Sequence, residues 1–134
     1  MSGQWQSDVA DFMGKHQIAV ADEPTLQVTD PLRHLSERLI SEESWELLAA
    51  FDVLNDQILF GTPDLAPLAK ELADVIYVVL HAANMFGIDM TQVFAVVHAS
   101  NMTKDGSARS DGKITKGPGY EDPMAMIREI LGGE

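Results

Sequence analysis

The chain is punctuated by paired turn signals that divide it into apolar-periodic segments. Asp30-Pro31, Thr62-Pro63 and Asp122-Pro123 each set a capping side chain before a proline, whose missing N–H has no partner in the first turn of a helix. Asp89-Met90-Thr91-Gln92 has the spacing of a capping box, and Gly87 ends the segment before it. The pattern predicts five helices, at about 4–14, 31–58, 63–86, 89–103 and 122–131. No segment alternates strictly between polar and apolar positions, so no sheet is expected. The run Val75-Ile76-Tyr77-Val78-Val79-Leu80 has the composition of a buried strand, but it continues through Phe86 and is therefore read as helix. The stretches 15–29 and 104–121 carry little periodicity. The expected fold is all-α: a four-helix-bundle core with an extra short N-terminal helix, in one domain over residues 1–134.

Two helices break their own apolar pattern. Leu35 and Leu39 begin a stripe that continues to Glu42 and Glu46, with Glu43 beside them, before Ala49, Ala50 and Val53 resume it. At about 100° per residue the three glutamates fall in one sector, on the side of the leucines. In the next helix Leu65, Leu68, Leu72, Val75, Ile76 and Val79 form an ordinary apolar face, yet Glu71 and Asp74 lie one turn apart and Asp74 opens directly onto the apolar run. Taken singly, such glutamates are usually a solvated face. Two antiparallel helices joined by a short loop, however, bring Glu42, Glu43 and Glu46 opposite Glu71 and Asp74. Unpaired, such a cluster costs several kcal/mol per buried group, on the order of the penalty for any isolated buried charge. Cations are what can hold it together, and an all-oxygen donor set suits Mg²⁺ or Mn²⁺. His34, His81 and His98 are isolated and are expected to be core or surface residues.

Composition narrows the partners. The net charge is −12, from 9 Lys and Arg against 21 Asp and Glu, which excludes a general electrostatic footprint for nucleic acid. The absence of cysteine removes disulfides, thiolate metal sites and thiol nucleophiles. The opening MSGQWQSDVADF has neither a basic region nor an apolar core, and the longest apolar run is far short of the roughly 20 residues of a membrane span. A soluble, cytoplasmic protein is expected. The third helix is apolar on most sides, which predicts a homodimer with that helix at or near the interface. Against the acidic background, Lys104, Arg109, Lys113 and Lys116 place four of the nine cationic residues in one glycine-containing segment. Such a segment can be a solvated loop, or it can wrap N–H groups and ammonium charges around phosphates. It is not a Walker A loop. A divalent-cation cluster together with a phosphate-sized basic loop points to a polyphosphate substrate.

The same residues resemble a family. Glu42-Glu43-Ser44-Trp45-Glu46 matches E-E-x-x-E, and Glu71-Leu72-Ala73-Asp74 matches E-x-x-D about 25 residues on. A third block follows in Asn101-Met102-Thr103-Lys104, Asp111-Gly112-Lys113 and Lys116-Gly117-Pro118. In this order the blocks resemble the all-α nucleoside triphosphate pyrophosphohydrolases, which include MazG-like proteins, dimeric dUTPases and phosphoribosyl-ATP pyrophosphohydrolase. The resemblance covers roughly residues 31–121 and is nearest to MazG-like members that prefer dUTP. It implies an obligate homodimer or higher assembly and Mg²⁺-dependent cleavage of a nucleoside triphosphate, dUTP foremost, to monophosphate and pyrophosphate in nucleotide-pool house-cleaning. Carried over, Glu42, Glu46, Glu71 and Asp74 hold metal, Glu43 helps to hold it or orients water as general base, and Glu43 and Glu46 are the catalytic pair. Asn101, Lys104, Lys113, Lys116 and Tyr120 contact phosphates or nucleoside. The alternatives are phosphoribosyl-ATP or another non-standard triphosphate as substrate, or a non-catalytic helical dimer that binds metal or nucleotide.

Overall fold

The computed structural model describes residues 3–132. It is all-α. The helices are α1 (Gln4–Lys15), α2 (Asp30–Phe60), α3 (Ala66–Phe86), α4 (Met90–Asn101) and α5 (Met124–Ile130). The only β feature among the described residues is an isolated antiparallel bridge between Ala108 and Ile114. No single described helix is long and apolar enough to cross a membrane. The chain forms two compact units, residues 4–87 and residues 88–132 with Gly3.

The helix ends follow the punctuation in part. The Asp89 side chain accepts from Thr91 N at 3.0 Å and Gln92 N at 3.4 Å, and Asp122 Oδ1 accepts from Met124 N at 2.8 Å. Both act as the sequence suggests. Two expected caps do not form. Asp30 is already helical, the cap position passes to Thr29, and the Asp30 carboxylate binds Arg33 one turn on. Thr62-Pro63 does not open α3 either; the helix begins at Ala66, whose N–H is accepted by Asp64 Oδ1 at 3.0 Å. At α2 the Arg33 guanidinium takes the Asp30 carboxylate, and at α3 Asp64, two residues after Thr62, supplies the acceptor.

In the first unit α1 and α2 both pack on α3. The buried cluster is Val9 and Met13 of α1, Val28, and Met85 of α3, with Ile18, Leu32, Leu35, Leu80 and Phe86 against it. The N-terminal helix is therefore part of the core and not an appendage, and Val9 and Met13 are its most completely buried side chains. Residues 16–29 are tied along the C-terminal end of α3, with Ala21 N donating to Asn84 O at 2.9 Å and Thr25 N to Phe86 O at 3.0 Å. Gly87 makes this possible. It has φ +67°, and a Cβ there would come within 2.0 Å of Glu23 O, so both the left-handed backbone and the close approach call for glycine. Asn84 is buried but satisfied: it accepts from Gln6 Nε2 at 3.0 Å and donates to Gln6 O at 3.1 Å.

The 31-residue α2 buries only Ser36, whose hydroxyl donates to Met85 Sδ at 3.2 Å and pins the register of α2 against α3. Much of the remainder of α2 is apolar and uncovered, including Trp45, Leu48, Phe51, Ile58, Leu59 and Phe60. On α3 the apolar face expected from the sequence is only half covered, with Leu72, Ile76 and Val79 partly exposed.

Candidate metal centre and active site

With Ser36 opposite Met85 and the two helices antiparallel, the next two turns of α2 toward its C-terminus face the preceding turns of α3. Glu43 and Glu46 are spaced i, i+3, as are Glu71 and Asp74, so each pair projects from one side of its helix. The four meet. One carboxylate oxygen from each lies within 4.8 Å of the others. Glu42 does not join them. It is exposed, because a rotation of about 100° from Glu43 turns it off the side that faces α3. Four of the five expected carboxylates thus converge.

Charge within the cluster is not balanced. Lys70 Nζ lies 2.8 Å from Asp74 Oδ2 and 3.4 Å from Glu71 Oε1, and these carboxylates hold its pKa above the usual lysine value. One ammonium faces four carboxylates, and it is largely exposed. Two like charges about 4 Å apart repel by about 4 kcal/mol at an effective dielectric of 20. Glu43 registers the strain: burial foremost, then the charge of Glu46 and its hydrogen bond, then Asp74 and Glu71, raise its pKa above the ordinary carboxylate value. Glu43 Oε2 and Glu71 Oε2 are buried with no hydrogen-bond partner. Convergent carboxylates with orphaned oxygens and no thiolate or imidazole among them are the donor set of a hard divalent cation. Such a cation fits these residues.

The histidines stand apart. His81 is 3% exposed, and burial holds its imidazole below the ordinary value, hence neutral. His34 and His98 are exposed, and none of the three is in the carboxylate group.

The cationic segment of the second unit is more ordered than a flexible loop. Asp105 N donates to Lys116 O at 3.1 Å, Gly106 N to Thr115 O at 3.2 Å, and Arg109 N to Lys113 O at 2.7 Å, around the bridge between Ala108 and Ile114. The Asp105 carboxylate accepts from Gly119 N at 3.1 Å and 3.2 Å, one bond to each of its oxygens. Gly117, at φ +69°, passes so close to Asp105 that a Cβ would meet its Oδ1 at 2.3 Å. The base of the segment is closed by Glu121 N donating to Thr103 Oγ1 at 2.8 Å and Ser100 Oγ to Glu121 O at 2.6 Å. Arg109 is committed to Asp111, at 2.6 Å, and lowers the pKa of that carboxylate. Lys116 Nζ sits 4.9 Å from the centroid of the Tyr120 ring, a cation–π contact. Asn101 ends α4, and Lys104 begins the segment half-buried.

The model of the family described as phosphoribosyl-ATP pyrophosphohydrolase matches residues 9–101, well over half of the chain. The chain belongs to this family. It is accordingly a hydrolase that acts on an acid anhydride of a phosphorus-containing compound, and pyrophosphohydrolase action on a nucleotide is the activity of its family. Family members are typically dependent on a divalent metal, in agreement with the carboxylate cluster. No curated protein sequence matches the chain. The match is to the phosphoribosyl-ATP members and lends no support to a preference for dUTP. It takes in both carboxylate pairs and ends at Asn101, before the cationic segment.

Lys70 was not among the candidates read from the sequence. Its position four residues before Asp74 and next to Glu71 was the available signal, since lysine and aspartate at i, i+4 share a helix face. Among acidic residues it reads as an ordinary surface pair, and only the convergence of two further carboxylates from α2 gives it a wider role.

Proposed function

We propose that the chain hydrolyses the anhydride between the α- and β-phosphates of a nucleoside triphosphate, releasing a monophosphate and pyrophosphate, with phosphoribosyl-ATP as the favoured substrate. The observation that carries this reading is the cluster of Glu43, Glu46, Glu71 and Asp74, with two buried oxygens that lack partners, inside the segment that matches the family. These four would hold the cation, and Mg²⁺, with Mn²⁺ able to replace it, suits the all-oxygen set. A divalent cation there supplies neutralising charge for phosphate oxygens and makes water easier to deprotonate near neutral pH.

The chain's own groups do the rest. Glu43, whose pKa burial and the neighbouring carboxylates raise, takes the proton from the attacking water as general base. Glu46, one turn on, acts with it as the catalytic pair. Lys70 limits repulsion around Asp74 and Glu71. Asn101, Lys104, Lys113, Lys116 and Tyr120 are assigned to the substrate, the lysines contributing positive charge for its phosphates. In the balanced reaction, water oxygen bonds to phosphorus, the bridging anhydride bond breaks, and pyrophosphate leaves.

The working form we propose is a homodimer. Leu59 and Phe60, 72% and 86% exposed at the end of α2, continue the uncovered apolar surface from Trp45 and Leu48. An apolar face of this kind on a small protein is covered by association, and a second copy of the chain supplies the same face by two-fold symmetry. Here α2, more than α3, contributes the apolar area.

A panel of phosphoribosyl-ATP, ATP, dUTP and dCTP with Mg²⁺, scored separately for pyrophosphate and orthophosphate, tests the proposal. Pyrophosphate from phosphoribosyl-ATP at the highest kcat/KM is expected. Diphosphate with orthophosphate overturns the bond assignment, and turnover of dUTP alone overturns the substrate.

A further inference from the structure

A cavity of about 220 Å³ lies between α1 and α3, on another side of α3 from the carboxylates. Trp5 and Tyr77 give it aromatic surface, Val9 and Ile76 give it aliphatic surface, and Asp8 is its one charged lining residue. It is smaller than the ~300–1,000 Å³ that encloses a whole drug-sized ligand, and is of the size that takes one ring system. Its apolar character suits a ring and not a phosphate chain. Its position is specific. The lining residue Ala73 adjoins Asp74 in sequence, and Tyr77 is three residues beyond Asp74, a neighbour on the helix surface at about 5–6 Å between Cβ atoms. A base in the cavity therefore lies beside the turn of α3 that carries Asp74.

The hydrogen-bonding chemistry of the cavity discriminates among bases. An ionised aspartate accepts and cannot donate. Gln4 Nε2 donates to Asp8 Oδ1 at 2.7 Å and steadies the side chain on α1, with the second carboxylate oxygen remaining for a ligand. A uracil edge flanks its N–H with two carbonyl oxygens, which a carboxylate repels. An adenine edge offers exocyclic N–H groups. Adenine substituted at N1 offers more, because it is protonated near neutral pH and carries positive charge. Such a ring gains an ion pair with Asp8 and cation–π contact with Trp5 and Tyr77.

We propose that the cavity between α1 and α3 is the base subsite and that Asp8, with Trp5 and Tyr77, selects a cationic N1-substituted adenine. The inference rests on the pyrophosphohydrolase reading above, and it assigns substrate discrimination to α1, which contributes no carboxylate to the metal cluster.

The test separates base binding from turnover. The protein is labelled with 5-fluorotryptophan at Trp5 and Trp45, and ¹⁹F resonances are assigned with Trp5→Phe. Titrations use 1-methyladenosine 5′-monophosphate, AMP and dUMP in EDTA. The expected result is a shift of the Trp5 resonance with Trp45 unmoved, and a Kd for the N1-methylated nucleotide about tenfold below that of AMP, with dUMP weaker still. Asp8→Asn, matched in shape, abolishes the preference of the N1-methylated nucleotide over AMP while retaining the melting temperature. In turnover with Mg²⁺ it raises KM for phosphoribosyl-ATP about tenfold and leaves kcat within about twofold. An unmoved Trp5 resonance, equal binding of dUMP, or an unchanged preference in Asp8→Asn overturns the proposal. If pyrophosphate release is intact in that event, the active-site reading stands. If Trp5 reports selective binding yet no triphosphate is cleaved, the base subsite stands and the enzymatic reading falls.

Discussion

The carboxylate cluster of the first unit and the cationic segment of the second are both rich in charge, but they are built in opposite ways. The cationic segment is held by bonds among its own groups. Arg109 pairs with Asp111, Lys116 lies over Tyr120, and Gly119 N donates to both oxygens of the Asp105 carboxylate. The cluster is not held so completely. Lys70 reaches two of its carboxylates, while Glu43 Oε2 and Glu71 Oε2 stay buried without partners. Structure that completes its own bonding is stable without a ligand, whereas like charges collected at one place store free energy that a bound cation can release. The contrast assigns the demand for a ligand to the cluster.

The largest expected effect comes from removing a ligand carboxylate. Loss of groups that merely orient metal ligands typically costs about 10–100-fold, so Glu46→Gln and Asp74→Asn should lower kcat by more than about a hundredfold while the protein stays folded. The same variants test the stored repulsion. Mg²⁺ at a hundred times its Kd should stabilise the wild type by about 2.7 kcal/mol, on the order of 10 °C in Tm for a chain of this size. Both variants should lose most of that increment, and wild-type turnover in both would remove the metal assignment. A smaller effect is expected in the cationic segment. Lys113→Ala and Lys116→Ala should raise KM about three- to tenfold, as befits about 1 kcal/mol from an exposed charge, and should leave the Mg²⁺ increment in Tm untouched. Kinetics and calorimetry on the same preparations separate the two regions.

Acid sharpens the comparison through signs. Glu43 binds its proton more tightly folded than unfolded. In EDTA the folded state therefore holds more protons than the unfolded one between the ordinary value of 4.5 and the raised folded pKa, and the Glu43 contribution to stability increases as pH falls through that window. Asp111 has a lowered pKa, caused by Arg109 first and the Lys113 backbone N–H second; its contribution is present above 3.8 and is lost as pH falls through its folded pKa. Denaturation of wild type, Glu43→Gln and Asp111→Asn across the acid range should give difference curves of opposite slope. Parallel curves would show that the two regions do not differ as described.

Much of the fold was legible along the chain because its signals are local. Asp89, Asp122 and Gly87 act at helix ends through bonds to residues two to four positions away, and a single sequence displays them. Asp30 and Thr62 fail for a reason the sequence also carries but does not rank: Arg33 and Asp64 compete, and only the folded backbone decides which partner lies closer. Glu43, Glu46, Glu71 and Asp74 were readable as candidates because helical periodicity gives the phase of each residue. The exclusion of Glu42 was not, since adjacent glutamates differ by one step of rotation and the sector that counts is set by the partner helix.

By itself the sequence determined five helices, their approximate ends, two carboxylate pairs at i, i+3 and a cationic segment set in an acidic chain, since each depends on spacing within about one turn or on composition. Tertiary structure decided what depends on how helices meet. Ser36 against Met85 sets the register that brings four carboxylates within 4.8 Å of one another. The packing of α1 on α3 makes Val9 and Met13 core and opens a cavity beside Asp8 and Tyr77, more than sixty positions apart in the chain. The length of α2 alone does not say which of its apolar residues are covered. That follows from where α1 and α3 lie, and they leave Leu59 and Phe60 in water, because burial belongs to pairs of surfaces and not to residues taken singly.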